Sequence, residues 1–121
     1  MTNTAKALYR FFSGFGLPAY VEYNVPDEAM LPYITYQLNE PGWNDSGTIY
    51  ARVWYRSTSF TAINAKVDQI KVAVGEGVSL PTDGGAVYLT KGVPFAQYMP
   101  MEGDETLKVV YLLFNIQTPT I

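Results

Sequence analysis

The stretch from Gly47 to Val74 leaves the chain least freedom, because an alternating aromatic strand runs directly into an amphipathic helix. Within Thr48 to Ser57, the residues Ile49, Ala51, Val53 and Tyr55 point one way and Tyr50, Arg52, Trp54 and Arg56 the other, as successive strand side chains alternate. Ser57 to Ser59 then offer N-caps for a helix in which Phe60, Ile63, Val67, Ile70 and Val74 form one apolar stripe. Gly75 and Gly77 end it. One strand face is core. The other holds Trp, Tyr and two Arg, residue types that dominate interface hot spots, and points toward assembly before catalysis.

The rest of the chain extends this pattern. Leu8, Phe11, Phe12 and Phe15 share a helical face, which predicts a helix from about Thr4 to Ser13 with Asn3 or Thr4 as N-cap and Gly14 as stop. Ala19 to Tyr23 reads as a short edge strand and Asn24 to Asp27 as a turn around Pro26. Tyr33 to Asn39 alternates Ile34, Tyr36 and Leu38 against Tyr33, Thr35 and Gln37, a strand opened by Pro32. Glu40 to Gly47 is dense in turn formers and contains Trp43.

Past the helix, Val78 to Leu80 and Ala86 to Thr90 read as short strands around a Gly-rich hairpin loop. Lys91 to Glu105 shows neither period yet carries Val93, Phe95, Tyr98, Met99 and Met101, so it reads as a long apolar loop that wants a partner. Leu107 to Ile116 is almost continuously apolar, as in a central strand covered on both faces. The side of the helix bearing Ala62, Ala65, Val72 and Ala73 admits two readings, helix propensity or close approach of another subunit. Together these predict one α+β domain over residues 1–121, an antiparallel or mixed sheet of about five strands packed with two main helices.

Composition excludes more chemistry than it supplies. At 121 residues the chain is one domain by length. Only 16% of residues are charged, 15% are aromatic and ten are Tyr, whose apolar ring and polar tip suit surfaces that alternate between wet and buried. A net charge of −3 argues against nucleic acid as the main partner. The chain has no Cys and no His. Disulfides, thiolate chemistry and the common Ser or Cys triads are therefore excluded, and zinc is left without its usual ligands. Ala5 to Leu17 carries Lys6 and Arg10 and reads as neither a signal peptide nor a transmembrane span. Glu102, Asp104 and Glu105 flank Gly103 without the spacing of a calcium loop and read as a solvated acidic turn. The glycines of Gly75-Glu76-Gly77 read as helix stops, because no dinucleotide or phosphate-loop pattern surrounds them. The Tyr50, Arg52, Trp54, Arg56 face has the ingredients of a single-strand nucleic acid binder, against which stands a cation–π patch covered by a helix or a neighbour.

With those residues in view, the chain resembles the tail terminator or minor tail-component (head–tail joining) proteins of long-tailed bacteriophages. The resemblance is carried by LPYITYQL (Leu31 to Leu38), IYARVWYRSTSFTAINAKVDQI (Ile49 to Ile70), LPTDGGAVYLTKGVPFAQ (Leu80 to Gln97) and DETLKVVYLLFNI (Asp104 to Ile116). It spans nearly the whole chain and includes no catalytic signature. It implies a virion protein of the tail or neck, assembled in the cytoplasm of a bacterial host. Such a protein forms a ring of six copies that caps the tail tube, ends its polymerisation and meets a head-connector or stopper protein. Neither enzyme activity, cofactor, metal nor membrane partner is implied, and DNA only passes through the lumen.

A ring is a heterologous assembly, so each subunit needs two different complementary patches. The residues offer Tyr50, Arg52, Trp54 and Arg56 as one and the loop with Val93, Phe95, Tyr98, Met99 and Met101 as the other. Glu102, Asp104 and Glu105 are lumen candidates, since acidic groups repel phosphates. Three rivals stand beside this reading: another neck ring such as a head-completion or adaptor protein, a small-ligand-binding or carboxylate enzyme domain, and a single-strand nucleic acid binder.

Overall fold

The computed structural model describes residues 3–39, 46–99 and 103–118. Helix α1 (Asn3–Phe12) continues into a 3-10 turn (Ser13–Phe15) and is followed by β1 (Ala19–Val21), β2 (Tyr33–Tyr36) and β3 (Ser46–Arg56). Helix α2 (Thr61–Val74) precedes β4 (Val78–Thr82), β5 (Gly85–Met99) and β6 (Leu107–Gln117). The strands form one sheet in the order β1-β2-β3-β6-β5-β4. β1 runs parallel to β2 and all other neighbours are antiparallel, so the sheet is mixed. It has six strands rather than about five, because both short flanking segments, three residues in β1 and five in β4, pair fully into it.

Both helices bury their stripes in one core. Leu8 and Phe12 from α1 and Ile63, Val67, Ile70 and Val74 from α2 join Ile34, Tyr36, Ile49, Ala51, Val53, Leu112, Phe114 and Ile116. The aromatic members interlock, with Phe12 stacked on Tyr36 at 4.8 Å and set edge-on to Phe114 at 5.6 Å. Offset and edge-on rings add to the area they remove from water. Phe60, partly exposed, occupies the N-cap of α2 in place of the expected serines and no side chain caps the helix; Ser59 Oγ, one residue earlier, accepts the Thr61 N–H at 3.4 Å. Gly75, at φ +54°, closes the helix, and at Gly77 an added Cβ would stand 2.1 Å from Tyr88 Oη. Glycine there leaves the room that the Tyr88 ring occupies.

Three segments depart from expectation. β1 stops at Val21 and β2 at Tyr36, so Glu22, Tyr23 and Gln37 to Asn39 lie outside the strands and Leu38 is exposed. β6 is central as expected, yet only its Val110, Leu112, Phe114, Ile116 side lies under the helices, while Tyr111 and Leu113 opposite are half-buried. Most consequentially, Lys91 to Met99 is not a loop but the second half of β5. Lys91 stands opposite Phe114 and Ala96 opposite Leu112, so Gly92, Val93, Pro94 and Phe95 together face the single residue Leu113. That bulge shifts the alternation within one strand and erases the period-2 signal. Leu113 packs against Gly92, where a Cβ would lie 2.4 Å from its Cγ.

Candidate functional site

With α1 and α2 on one side, the other side of the sheet has no helix over it among the described residues. Alternation places Tyr50, Arg52 and Trp54 there, half-buried, with Arg56 exposed at the strand end. The register brings in residues that sequence reasoning did not group with them. Tyr33 lies opposite Trp54, Thr35 opposite Arg52, and Tyr111 opposite Arg52 on the other flank.

These side chains satisfy one another. Trp54 Nε1 donates to Thr35 Oγ1 at 3.0 Å, and its ring lies 6.3 Å from that of Tyr33, which meets Tyr20 edge-on at 5.7 Å. The Arg52 guanidinium sits 4.6 Å over the Tyr111 ring and pairs with Glu22 Oε1 at 2.9 Å, although its buried Nε has no partner among the described residues. Tyr111 in turn meets Tyr50 edge-on at 6.2 Å. At the strand end, Arg56 Nη1 donates to Asp104 Oδ2 and to Thr106 Oγ1, each at 2.8 Å, and Asp104 Oδ1 accepts the Thr106 N–H at 3.0 Å. Hydrogen bonds from Arg56 and Thr106 favour the ionised carboxylate and hold Asp104 well below the usual carboxylate range.

Both face arginines thus carry an internal carboxylate partner. A single-strand nucleic acid binder needs cations free to meet phosphates, and neither Arg52 nor Arg56 is free in that sense. The cation–π patch weighed as the alternative is present.

The residues of the expected second patch do not stay together. Phe95 packs inward, its ring 5.5 Å from and edge-on to Phe114, which corrects its assignment to a free loop. Tyr98 lies opposite the core residue Val110 and meets Phe60 edge-on at 5.6 Å. Met99 lies opposite Val109, in the row that continues to Trp54, and Val93 stands out at the tip of the bulge. Of the lumen candidates, Asp104 is engaged with Arg56, and Glu105 is exposed, its backbone carbonyl accepting from Lys108 Nζ. Trp43, Met101 and Glu102 lie outside the described residues. Ala62, Ala65, Val72 and Ala73 on α2 are all exposed.

Two of the shallow depressions on the surface lie beside residues of the sheet. One, of about 480 Å³, lies at the far end of the open face and is lined by uncharged polar side chains such as Thr48, Thr90, Asn115 and Gln117. The other, of about 450 Å³, lies between Phe60, Met99 and the 104–108 turn. Among the described residues no group of three or more acidic side chains gathers as a metal site, and no helix is long and apolar enough to cross a membrane. The open face is built from cross-strand pairs of large side chains.

No family model and no curated protein matches the chain. Its fold recurs in a virion. A chain in the solved virion of a native gene transfer agent particle superposes with a TM-score of 0.72, covering 98% of this chain and 98% of that one. Identity over that match is 15%, so the likeness is one of fold.

Proposed function

We propose that this protein is a structural component of a phage-like virion, and that within it the chain acts as a tail terminator. In this reading copies close into a ring, most simply of six, that caps the tail tube, stops its growth and joins it to the head through a connector or stopper. The observation that carries the reading is the fold match to a virion chain over 98% of each chain. Sequence resemblance to the tail terminator group and an open sheet face of paired aromatic and cationic side chains support it. No catalytic step is assigned.

Native mass across a concentration series, with negative-stain images of the largest species, tests this. A closed ring with a central hole is expected. A compact dimer, or a monomer that a single small molecule stabilises saturably, would move the reading to a ligand-binding domain. A second neck position, as an adaptor or head-completion ring, shares the fold and the ring. It is separated by pull-down with isolated tail tubes, which a terminator caps and an adaptor ignores.

A further inference from the structure

The sheet has two unpaired edges at the same height. One row reads Tyr20, Thr35, Arg52, Tyr111 and Gln97, from β1 through β2, β3 and β6 to β5. β1 is an end strand, and β4 covers β5 only from Gly85 to Leu89. Among the described residues no strand lies beside β5 beyond that point. Along this row the sheet is therefore five strands wide with an open edge on each flank.

Open edges are templates for pairing, and proteins blunt them with charge, proline or a bulge. β5 is blunted only over Gly92 to Phe95. The following Ala96-Gln97-Tyr98-Met99 carries neither charge nor proline, and neither does Ala19-Tyr20-Val21. We propose that β1 of one copy pairs with the outer edge of β5 in the next copy, so that one sheet runs from subunit to subunit. This rests on the ring reading and assigns its junction.

Three observations make the second copy the fitting occupant. Rotation about an axis along the strands preserves their directions, and β5 runs opposite to β1, so the junction is antiparallel, the commoner pairing. Val21 stands level with Ala96 through Tyr36, Ala51 and Leu112. One step past that level, β5 carries the bulge of Gly92 to Phe95 opposite Leu113, and the chain leaving β1 enters the turn closed by the Asn24 N–H on Val21 O, which carries Tyr23. Tyr23 is 88% exposed and Val93 93%, the two largest values among the exposed large hydrophobics, and the proposed junction sets turn and bulge side by side. Charge agrees as well. Asp27 and Glu28, in the loop after β1, and Lys91, just before the bulge, all lack an ion-pair partner among the described residues.

The chain has no cysteine, so an engineered pair reports only the designed contact. The double variant Tyr23→Cys, Val93→Cys, oxidised or treated with a short bifunctional maleimide, is expected to give a covalent ladder ending at the ring, while each single variant stops at a dimer. Val93→Asp and Tyr23→Asp are expected to lower ring yield at least tenfold with unchanged circular dichroism. Val72→Asp, at an 80% exposed site on α2, is expected to leave ring yield unchanged. Wild-type rings with no ladder from the double variant, or rings lost in Val72→Asp but not in Val93→Asp, overturn the edge junction and leave the ring reading standing. Absence of any wild-type species above monomer, in solution and under the cross-linker, overturns both.

Discussion

The two faces of the sheet are made from the same strands and finished in different ways. Under the helices, Ile34, Ile49, Val53, Leu112, Phe114 and Ile116 are wholly removed from water. On the open side the neighbouring positions Tyr50, Arg52, Trp54 and Tyr111 keep part of their surface; Trp54 Nε1 bonds Thr35 and the Arg52 guanidinium pairs with Glu22, while Arg52 Nε has no partner among the described residues. The first face is closed within one chain. The second is ordered in advance but still has area to bury, and a pre-ordered aromatic surface gives up little side-chain entropy when a partner covers it.

That contrast breaks most easily from the covered side. Phe12→Ala empties a fully buried ring site between Tyr36 and Phe114 and is expected to cost about 3–5 kcal/mol, a fall of roughly 10–25 °C in Tm by calorimetry. If the open face mattered as much to folding, Trp54→Ala would match it. Instead, loss of one half-buried ring and its bond to Thr35 is expected to cost about 1–2 kcal/mol. Ring yield, read by native mass, is expected to collapse in Trp54→Ala although the protein stays folded. A Trp54→Ala variant that assembles normally would remove this face from the interface.

Smaller effects sharpen the distinction. Glu22→Gln leaves the Arg52 guanidinium on Tyr111 without its carboxylate, and about 1 kcal/mol of stability is expected to go in urea titration, since the pair is partly screened by solvent. The same variant frees one cation. Salt-sensitive binding of a single-stranded oligonucleotide is therefore expected, if at all, in Glu22→Gln and not in the wild type.

The smallest effect belongs to Asp104 and shows only in acid. Its folded pKa lies below the unfolded value of about 3.9, so its contribution is present above that pH and is lost as pH falls toward the folded value. Asp104→Asn is expected to flatten the fall of Tm below about pH 4 and to leave Tm near pH 7 lower by a small amount.

Much of this architecture was legible in residue order because it rests on local periodicity. The stripe of α2 and the alternation of β3 each follow from the geometry of a single element, which repeats whatever surrounds it, whereas β6, read as covered on both faces, has only one side under the helices. The failure at Lys91 to Met99 has a physical cause. A bulge of four residues against Leu113 resets the phase in mid-strand, so a continuous strand carries two short patterns that cancel. The open face was half legible for a related reason. Tyr50, Arg52 and Trp54 share a strand and a parity, whereas Tyr20, Tyr33, Glu22 and Tyr111 belong to the face only through pairing registers.

From the sequence alone came the α+β class, the two helices with their buried stripes, the amphipathic β3 and the absence of cysteine and histidine chemistry, all consequences of composition and short-range spacing. Tertiary structure decided which strands became neighbours and at what height, and hence that Arg52 meets Glu22, that Phe95 turns inward, and that β1 and β5 end the same row with no further strand beside them among the described residues. Such facts join residues far apart in the chain. Their positions depend on how whole elements pack, and packing is settled by the core as a unit rather than by any one segment.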